Sequence, residues 1–396
     1  MADAATDAID VEARDGVFRG LRVVSVRYLV HDVEETIGSY TRNLDLDIRC
    51  KAALPCLKRV LSLLAAAVGV ALGLTANAAA SSGTLTGAGS TLVAPLESRW
   101  AAQFAAANPG DQVSYLGVGS GVGIQYVGRG LVDFGATDAP LAAVGGVTCS
   151  GCALVPWALS ATGIGYNITG VGEGLRLTGK ILGEIYLGEI TNWDNPQITS
   201  LNTGIHLPNL KITPVYRSDT SGDSYAFTGF LSAVSSAWTA RNGEATISFP
   251  ASIGVAAKGN AGMAGEISSV KGTIGYVSAS YLITQKITVA RIQNADGNYE
   301  YPNVPNIENA AAGVTSVPAG NVLKIVNPPR KYTSAYPIST FSYALVHMSG
   351  NANDSLLKQW LTYCVTSGRS AGVVLDFAPI PNVAQAAALK TINSIS

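Results

Sequence analysis

From Gly83 to the C-terminus, short β-rich runs alternate with stretches of helical period, and most of the β-runs end in glycine, serine or aspartate. Residues 112–120 (QVSYLGVGS), 131–140 (LVDFGATDAP), 163–170 (GIGYNITG), 210–219 (LKITPVYRSD), 272–280 (GTIGYVSAS) and 341–349 (FSYALVHMS) read as strands closed by turn residues. Residues 92–108 put Leu92, Leu96, Trp100 and Phe104 on one helical face. Residues 221–238 do the same with Phe227, Phe230, Leu231 and Val234, and residues 355–368 repeat the pattern up to Gly368. Such alternation predicts an α/β fold, with sheets flanked by helices. No internal repeat of 20–50 residues accompanies it.

Composition narrows the function. At 47% hydrophobic and net charge −1, the chain is not disordered. The 26 basic residues face 27 acidic ones, so nucleic acid is not an expected partner. Three histidines (His31, His206, His347) and five cysteines argue against a His/Cys metal enzyme, and no metal or other cofactor is expected. The 396 residues suffice for one large or two ordinary domains.

The N-terminus differs from the rest. The first 50 residues hold 16 charges, about one in three, whereas residues 79–396 hold 34, about one in nine. Arg49, Lys51, Lys58 and Arg59 then precede an apolar run from Val60 to Leu74 and an Ala-Asn-Ala-Ala-Ala stretch. Fifteen residues are short for a membrane span, which needs about 20. A basic flank, a short apolar run and an A-x-A site describe a secretory signal, with cleavage expected after Ala78 or Ala80. Residues 49–78 are thus read as a signal peptide or membrane-targeting segment. No cysteine lies at the junction after the run to accept a lipid. Residues 1–48 stand apart as an extension of doubtful origin: an upstream start assignment, a cytoplasmic tail before an uncleaved anchor, or a fusion remnant. Residues 26–48 weakly resemble the first strand and helix of a glyoxalase/dioxygenase-type module. His31 has no partner ligands nearby, and no function is assigned to this segment.

Export and α/β architecture together suggest an extracytoplasmic binding or hydrolytic protein. Cys149-Ser150-Gly151-Cys152 is a C-x-x-C that reads, in an exported chain, as a local disulfide. Cys364 lies on an apolar helix face and reads as a buried free thiol.

Three turns share one chemistry. Gly87-Ala88-Gly89-Ser90-Thr91-Leu92 opens the helix at 92–108. Gly117-Val118-Gly119-Ser120-Gly121-Val122-Gly123 lies between a strand and a helix around 124–129. Ser221-Gly222-Asp223 opens the helix at 221–238, after a strand ending near Arg217. Each sets small residues and hydroxyls at a helix N-terminus, where free N–H groups and the helix dipole favour an anion. Arg217 adds a planar fork of donors suited to a tetrahedral oxyanion. Together they suggest a deep, dehydrated oxyanion pocket.

Five segments carry a specific resemblance: TGAGSTLVAPLESRW, VSYLGVGSGVGIQYVGRGLVDFGATDAPL, GKILGEIYLGEITNWD, YRSDTSGDSYAFTGFLS and GTIGYVSASYL. In order from about Leu85 to the C-terminus, including LDFAPIP at 375–381, the chain resembles the phosphate-binding protein of bacterial high-affinity phosphate ABC transporters. That resemblance implies a two-lobed periplasmic-binding-protein fold with two hinge crossovers. Lobe one would be 84–160 plus 338–396 and lobe two 161–337. It implies phosphate contacts from the Thr91 hydroxyl and backbone, the Leu92 N–H, Ser120, Arg217, Ser221 and Gly222. Asp138 would accept a hydrogen bond from a protonated phosphate oxygen and is a candidate to hold Arg217. Asp223 departs from the expected threonine. It reads either as a second acceptor facing the ligand or as a helix N-terminal acid stabilised by the dipole.

The leading functional expectation is a non-catalytic carrier. It would be monomeric, act in the periplasm or at the outer face of the cytoplasmic membrane, and present inorganic phosphate to ABC-transporter permease subunits. The alternatives are an exported phosphohydrolase or phosphate-sensing protein, or a carrier for another oxyanion such as arsenate or sulfate. Hydrolysis is disfavoured by the lack of a multi-carboxylate metal cluster or a Ser/His/Asp arrangement in the sequence. Asp138 disfavours sulfate, which keeps no proton near neutral pH.

Overall fold

The computed structural model describes residues 83–143, 149–250 and 253–396. The extension at 1–48 with its glyoxalase-like stretch, the apolar targeting segment at 49–78 and the cleavage site near Ala78 or Ala80 lie outside the described residues.

The strands are β1 (Thr84–Gly89), β2 (Gln112–Gly117), β3 (Phe134–Thr137), β4 (Cys152–Tyr166), β5 (Arg176–Leu177), β6 (Thr213–Arg217), β7 (Val255–Ala257), β8 (Thr273–Ser278), β9 (Thr288–Val289), β10 (Arg291–Gln293), β11 (Tyr299–Glu300) and β12 (Ser339–His347). Nine of them make one sheet in the order β2-β1-β3-β12-β4-β8-β6-β7, with β9 also on β4, while β5, β10 and β11 form a small second sheet. The two ends of the large sheet are parallel: β1 with β2 and β3, and β6 with β7 and β8. Between them, β12 and β4 run antiparallel. The sheet therefore has two α/β halves that share β4. Residues 152–161 pair with β12, and residues 162–166 pair with β8.

β4 begins eleven residues before the strand expected from the sequence (Cys152 against Gly163). Thirteen of its fifteen residues are buried, so it lacks the alternation that marks a half-exposed strand. Pro156 further disguises it. The register with β12 shifts between Ser342 and Tyr343, opposite Pro156 and Trp157. Proline has no N–H for the ladder, and a bulge is where a central strand tolerates one. The expected helix at 221–238 is two helices, Gly222–Val234 and Ser236–Asn242. Ser235 separates them, and its side chain accepts a hydrogen bond from the Trp238 N–H to start the second.

Each half has its own aromatic core. In the first, Trp100 packs 5.5 Å from Trp157, and Phe104 lies edge-on to Trp360 at 5.3 Å. In the second, Phe227 stacks on Tyr276 at 4.6 Å and meets Tyr186 at 5.0 Å. Such pairs contribute about 0.5–1.5 kcal/mol each beyond burial of their area. Cys149 and Cys152 are joined by a disulfide, and Cys364 is buried and free.

Candidate functional site

The C-terminal ends of β1, β2, β3, β6 and β7 lead into turns that meet where the two halves of the sheet face one another. The crevice beyond the carboxyl ends of parallel strands is the usual ligand position in open α/β sheets. From the first half come Ser90, Thr91 and Leu92 after β1, Ser120 after β2, and Asp138 after β3. From the second come Arg217 at the end of β6, Ser221, Gly222 and Asp223 opening the helix Gly222–Val234, and Asn260 after β7. All are buried; Thr91, at 8% exposure, is the most accessible of the polar ones.

Hydrogen bonds tie the two sets together. The Ser120 hydroxyl accepts from the Asp138 N–H (3.4 Å) and from the Gly222 N–H (3.2 Å). The Thr91 hydroxyl accepts from the Asn260 backbone N–H (3.2 Å) and side-chain Nδ2 (3.0 Å). The Ser90 hydroxyl accepts from the Leu92 N–H (3.0 Å) and donates to Asp138 Oδ2 (2.5 Å). Ser221 is the N-cap of its helix, its hydroxyl accepting from the Asp223 and Ser224 N–H groups. Gly222 is needed for close approach. A Cβ there would lie 2.4 Å from Asp138 Cβ and 2.5 Å from its Oδ2.

Arg217 is fixed by two carboxylates. Its Nε donates to Asp219 Oδ1 (2.8 Å) and its Nη2 to Asp219 Oδ2 (2.5 Å), a bidentate pair. Its Nη1 donates to Asp223 Oδ2 at 3.2 Å. Three of the five guanidinium donors are thus used, and one on each terminal nitrogen remains for a ligand. Asp138 makes no direct bond to Arg217 among the described residues, which corrects the expectation that it holds the guanidinium. Distance and geometry give that role to Asp219 and Asp223.

Both oxygens of Asp223 have partners. Its Oδ1 accepts from the Thr162 hydroxyl (2.8 Å), and its Oδ2 accepts from Arg217 and from Asn260 Nδ2 (2.7 Å). This bonding departs from a simple helix N-terminal acid, because the carboxylate is tied to β4, β6 and the helix Gly259–Ser269 after β7. Asp138 differs: its Oδ1 is buried and has no hydrogen-bond partner among the described residues.

The electrostatics follow. Burial pushes Asp138 up to about 7, reinforced by the Asp223 charge, while the Ser342 and Ser90 hydroxyls and Arg217 pull the other way. Burial also raises Asp223, against Arg217, Asn260 and Thr162. Burial opposes ionisation of Asp219 too, but there Arg217 and the Gly259 N–H win and hold it below the usual carboxylate range. One guanidinium faces three carboxyl groups, so an anion would be held by aimed donors and dipoles, not by net positive charge. A cavity of about 210 Å³, lined in part by Tyr225, Lys324 and Tyr343, reaches Asp138 from outside.

Asn260, Asp219 and Thr162 were not singled out from sequence. Asn260 had a signal: Lys258-Gly259-Asn260 repeats the glycine-at-a-helix-start pattern of the other three turns. Asp219 lies two residues beyond Arg217, within reach of its fork. Thr162, inside an apolar strand, carried none.

A family model described as the PBP superfamily domain matches residues 74–367. The chain is 33% identical over 302 residues to the phosphate-binding protein PstS of Xylella fastidiosa strain Temecula1, covering 75% of this chain and 81% of that one. It is 31% identical over 304 residues to the phosphate-binding protein PstS of Methanocaldococcus jannaschii, covering 68% and 75%. Among solved structures, the high-affinity periplasmic phosphate-binding protein PfluDING bound with phosphate superposes with a TM-score of 0.60 at 22% identity, covering 77% of this chain and 92% of that one. The phosphate-binding protein from Stenotrophomonas maltophilia gives 0.59 at 19%, covering 78% and 93%. At these identities the two structures establish the two-lobed fold.

Proposed function

The chain belongs to the PBP superfamily and, within it, to the phosphate-binding proteins; from that premise we propose that it captures inorganic phosphate between its two halves and delivers it to the permease of an ABC transporter. It is a carrier and not an enzyme. Lobe one comprises 84–160 plus 338–396 and lobe two 161–337, so that β4 and the segment leading into β12 are the two crossovers. The protein works as a monomer on the outer side of the cytoplasmic membrane. Among the described residues no helix is long and apolar enough to cross a membrane.

The observation that carries this reading is Asp138. Its buried Oδ1 has no hydrogen-bond partner among the described residues, while Arg217 of the other half keeps two donors for a ligand. An ionised carboxyl there accepts the proton that phosphate keeps near neutral pH. The remaining phosphate oxygens take hydrogen bonds from Arg217, Thr91, Ser120, Ser221 and the N–H groups of Leu92 and Gly222. Those two N–H groups donate to the hydroxyls of Ser90 and Ser120, and phosphate oxygens replace these hydroxyls as acceptors. Sulfate has no proton to offer and brings a like charge against Asp138. Sites that demand a hydrogen bond reject the analogue lacking it by about 10⁴–10⁵.

Closure is a hinge motion of the two halves. The bonds from the Asn260 backbone and side chain to Thr91 hold the closed form. Asp223 orients Arg217 from behind and does not contact phosphate. Calorimetric titration with phosphate tests the proposal: one site with tight binding supports it, and absence of binding overturns it. A chromogenic phosphomonoester left intact by the same preparation separates carrier from phosphohydrolase.

A further inference from the structure

His347, the last residue of β12, pairs across the sheet with Cys152, the first residue of β4. Its Nδ1 lies 3.6 Å from Cys152 Sγ, and its Nε2 lies 3.9 Å from Cys149 Sγ. Ligand atoms of the three residues all fall within 4.8 Å of one another. His347 Nε2 also sits 2.9 Å from the Val127 carbonyl oxygen. A carbonyl can only accept, so Nε2 carries the proton and Nδ1 presents its lone pair toward the sulfurs. A metal-binding histidine is held in this way, its second nitrogen donating to a backbone carbonyl that fixes tautomer and ring orientation.

We propose that, once the disulfide is opened, Cys149, Cys152 and His347 form a binding site for a zinc-like divalent cation. The opening is a two-electron reduction. A dithiol reductant gives two electrons and two protons to the S–S bond and leaves as its own disulfide, and two free thiols remain. The cation then displaces both thiol protons and takes two thiolates and the Nδ1 lone pair. Zinc–sulfur bonds of about 2.3 Å and zinc–nitrogen bonds of about 2.0–2.1 Å put tetrahedral ligands roughly 3.5–3.8 Å apart. The Nδ1–Cys152 distance already matches that edge. The sulfurs must separate, and with Cα atoms 5.4 Å apart, side-chain rotation suffices. The fourth position is open to solvent. All three residues are partly exposed, and two surface cavities, of about 490 and 710 Å³, are lined by His347 and Cys152 respectively. The site lies at the end of β12 and the start of β4 and shares no residue with the phosphate site. Its occupation is therefore independent of the proposed function.

The test uses the chain in its oxidised form and after reduction by a dithiol that is then removed without air. Zinc uptake is followed by equilibrium dialysis, and cobalt(II) is used as a spectroscopic stand-in. Expected are one equivalent of zinc bound by the reduced protein alone, and thiolate-to-cobalt charge-transfer absorption. His347→Gln should weaken binding by at least the roughly 10–100-fold that loss of a mere outer partner costs. Unchanged phosphate binding by H347Q shows that the variant is folded; a C149S/C152S variant that also keeps phosphate binding but takes up no zinc confirms the sulfur ligands. Equal zinc uptake by oxidised and reduced protein, equal uptake by wild type and H347Q, or a disulfide that resists reduction in the phosphate-binding protein would each overturn the proposal.

Discussion

Asn260 is the side chain through which closure and the orientation of Arg217 are joined, and Asn260→Ala separates the two effects. The side chain makes three hydrogen bonds: Nδ2 to Thr91 Oγ1 in the opposite half, Nδ2 to Asp223 Oδ2 in its own half, and Oδ1 from the Ser278 N–H. Only the first forms on closing. A neutral hydrogen bond contributes about 0.5–1.5 kcal/mol net, which corresponds to a rise in phosphate Kd of about 2- to 13-fold. The backbone N–H of residue 260 still reaches Thr91, so closure survives. The other two bonds exist in open and closed forms alike. Their loss removes a charge-assisted donor from Asp223 and strands a buried N–H, which lowers folding stability by roughly 2–4 kcal/mol. The assay is a phosphate titration paired with stopped-flow kinetics and denaturant unfolding. The Kd change should sit in koff, because the Thr91 bond acts after encounter. An unchanged Kd, or a loss confined to kon, would refute the role given to this bond. Unchanged stability would refute the other half of the reasoning.

Three more outcomes follow. Gly222→Ala places a methyl group 2.4 Å from Asp138 Cβ, so phosphate affinity should fall more than about tenfold while unfolding of the empty protein shifts little; retained affinity in calorimetry would contradict the close approach. Arg217→Met leaves the buried Asp223 and the partly exposed Asp219 without their cation and should cost roughly 3–5 kcal/mol in denaturant unfolding along with phosphate binding, and a stable R217M that fails only to bind would show that the pair is not structural. Burial raises both Asp138 and Glu97, whose two oxygens have no partner among the described residues, so the folded chain holds protons there that the unfolded chain releases. Their contribution to stability is full below about pH 4 and is lost as pH rises through about 7 for Asp138. Asp138→Asn and Glu97→Gln should each flatten that fall, and a profile as steep in both variants as in wild type would place the proton uptake elsewhere.

How much of this was readable in the sequence depended on the kind of signal. Turn chemistry was legible: Gly-Ser-Thr after β1, Gly-Ser after β2, and Ser-Gly-Asp before the helix at Gly222 are local statements about helix N-termini, and the structure sets all three at one place. Alternation of strands and helices was legible for the same reason. β4 was not, because a strand covered on both faces has no period to read and Pro156 argues against it until the bulge is seen. The partners of Arg217 were not legible either. Whether a guanidinium meets Asp138, Asp219 or Asp223 depends on which strand ends converge, and that is settled by sheet order. The dual reading of Asp223 could be narrowed only when Thr162, Arg217 and Asn260 were found around it. The C-x-x-C was visible, but its pairing with His347, about two hundred residues away, is a property of the β4–β12 register.

Selectivity for phosphate rests on Asp138 accepting the proton of the bound ion. Phosphate titration in the presence of a large excess of sulfate, for wild type and Asp138→Asn at the same pH, tests it most directly. Sulfate should leave the wild-type isotherm unchanged and compete measurably in D138N, where an amide can turn its N–H₂ toward a fully ionised oxyanion. Full competition by sulfate in the wild type, or the same exclusion of sulfate in D138N, would contradict it.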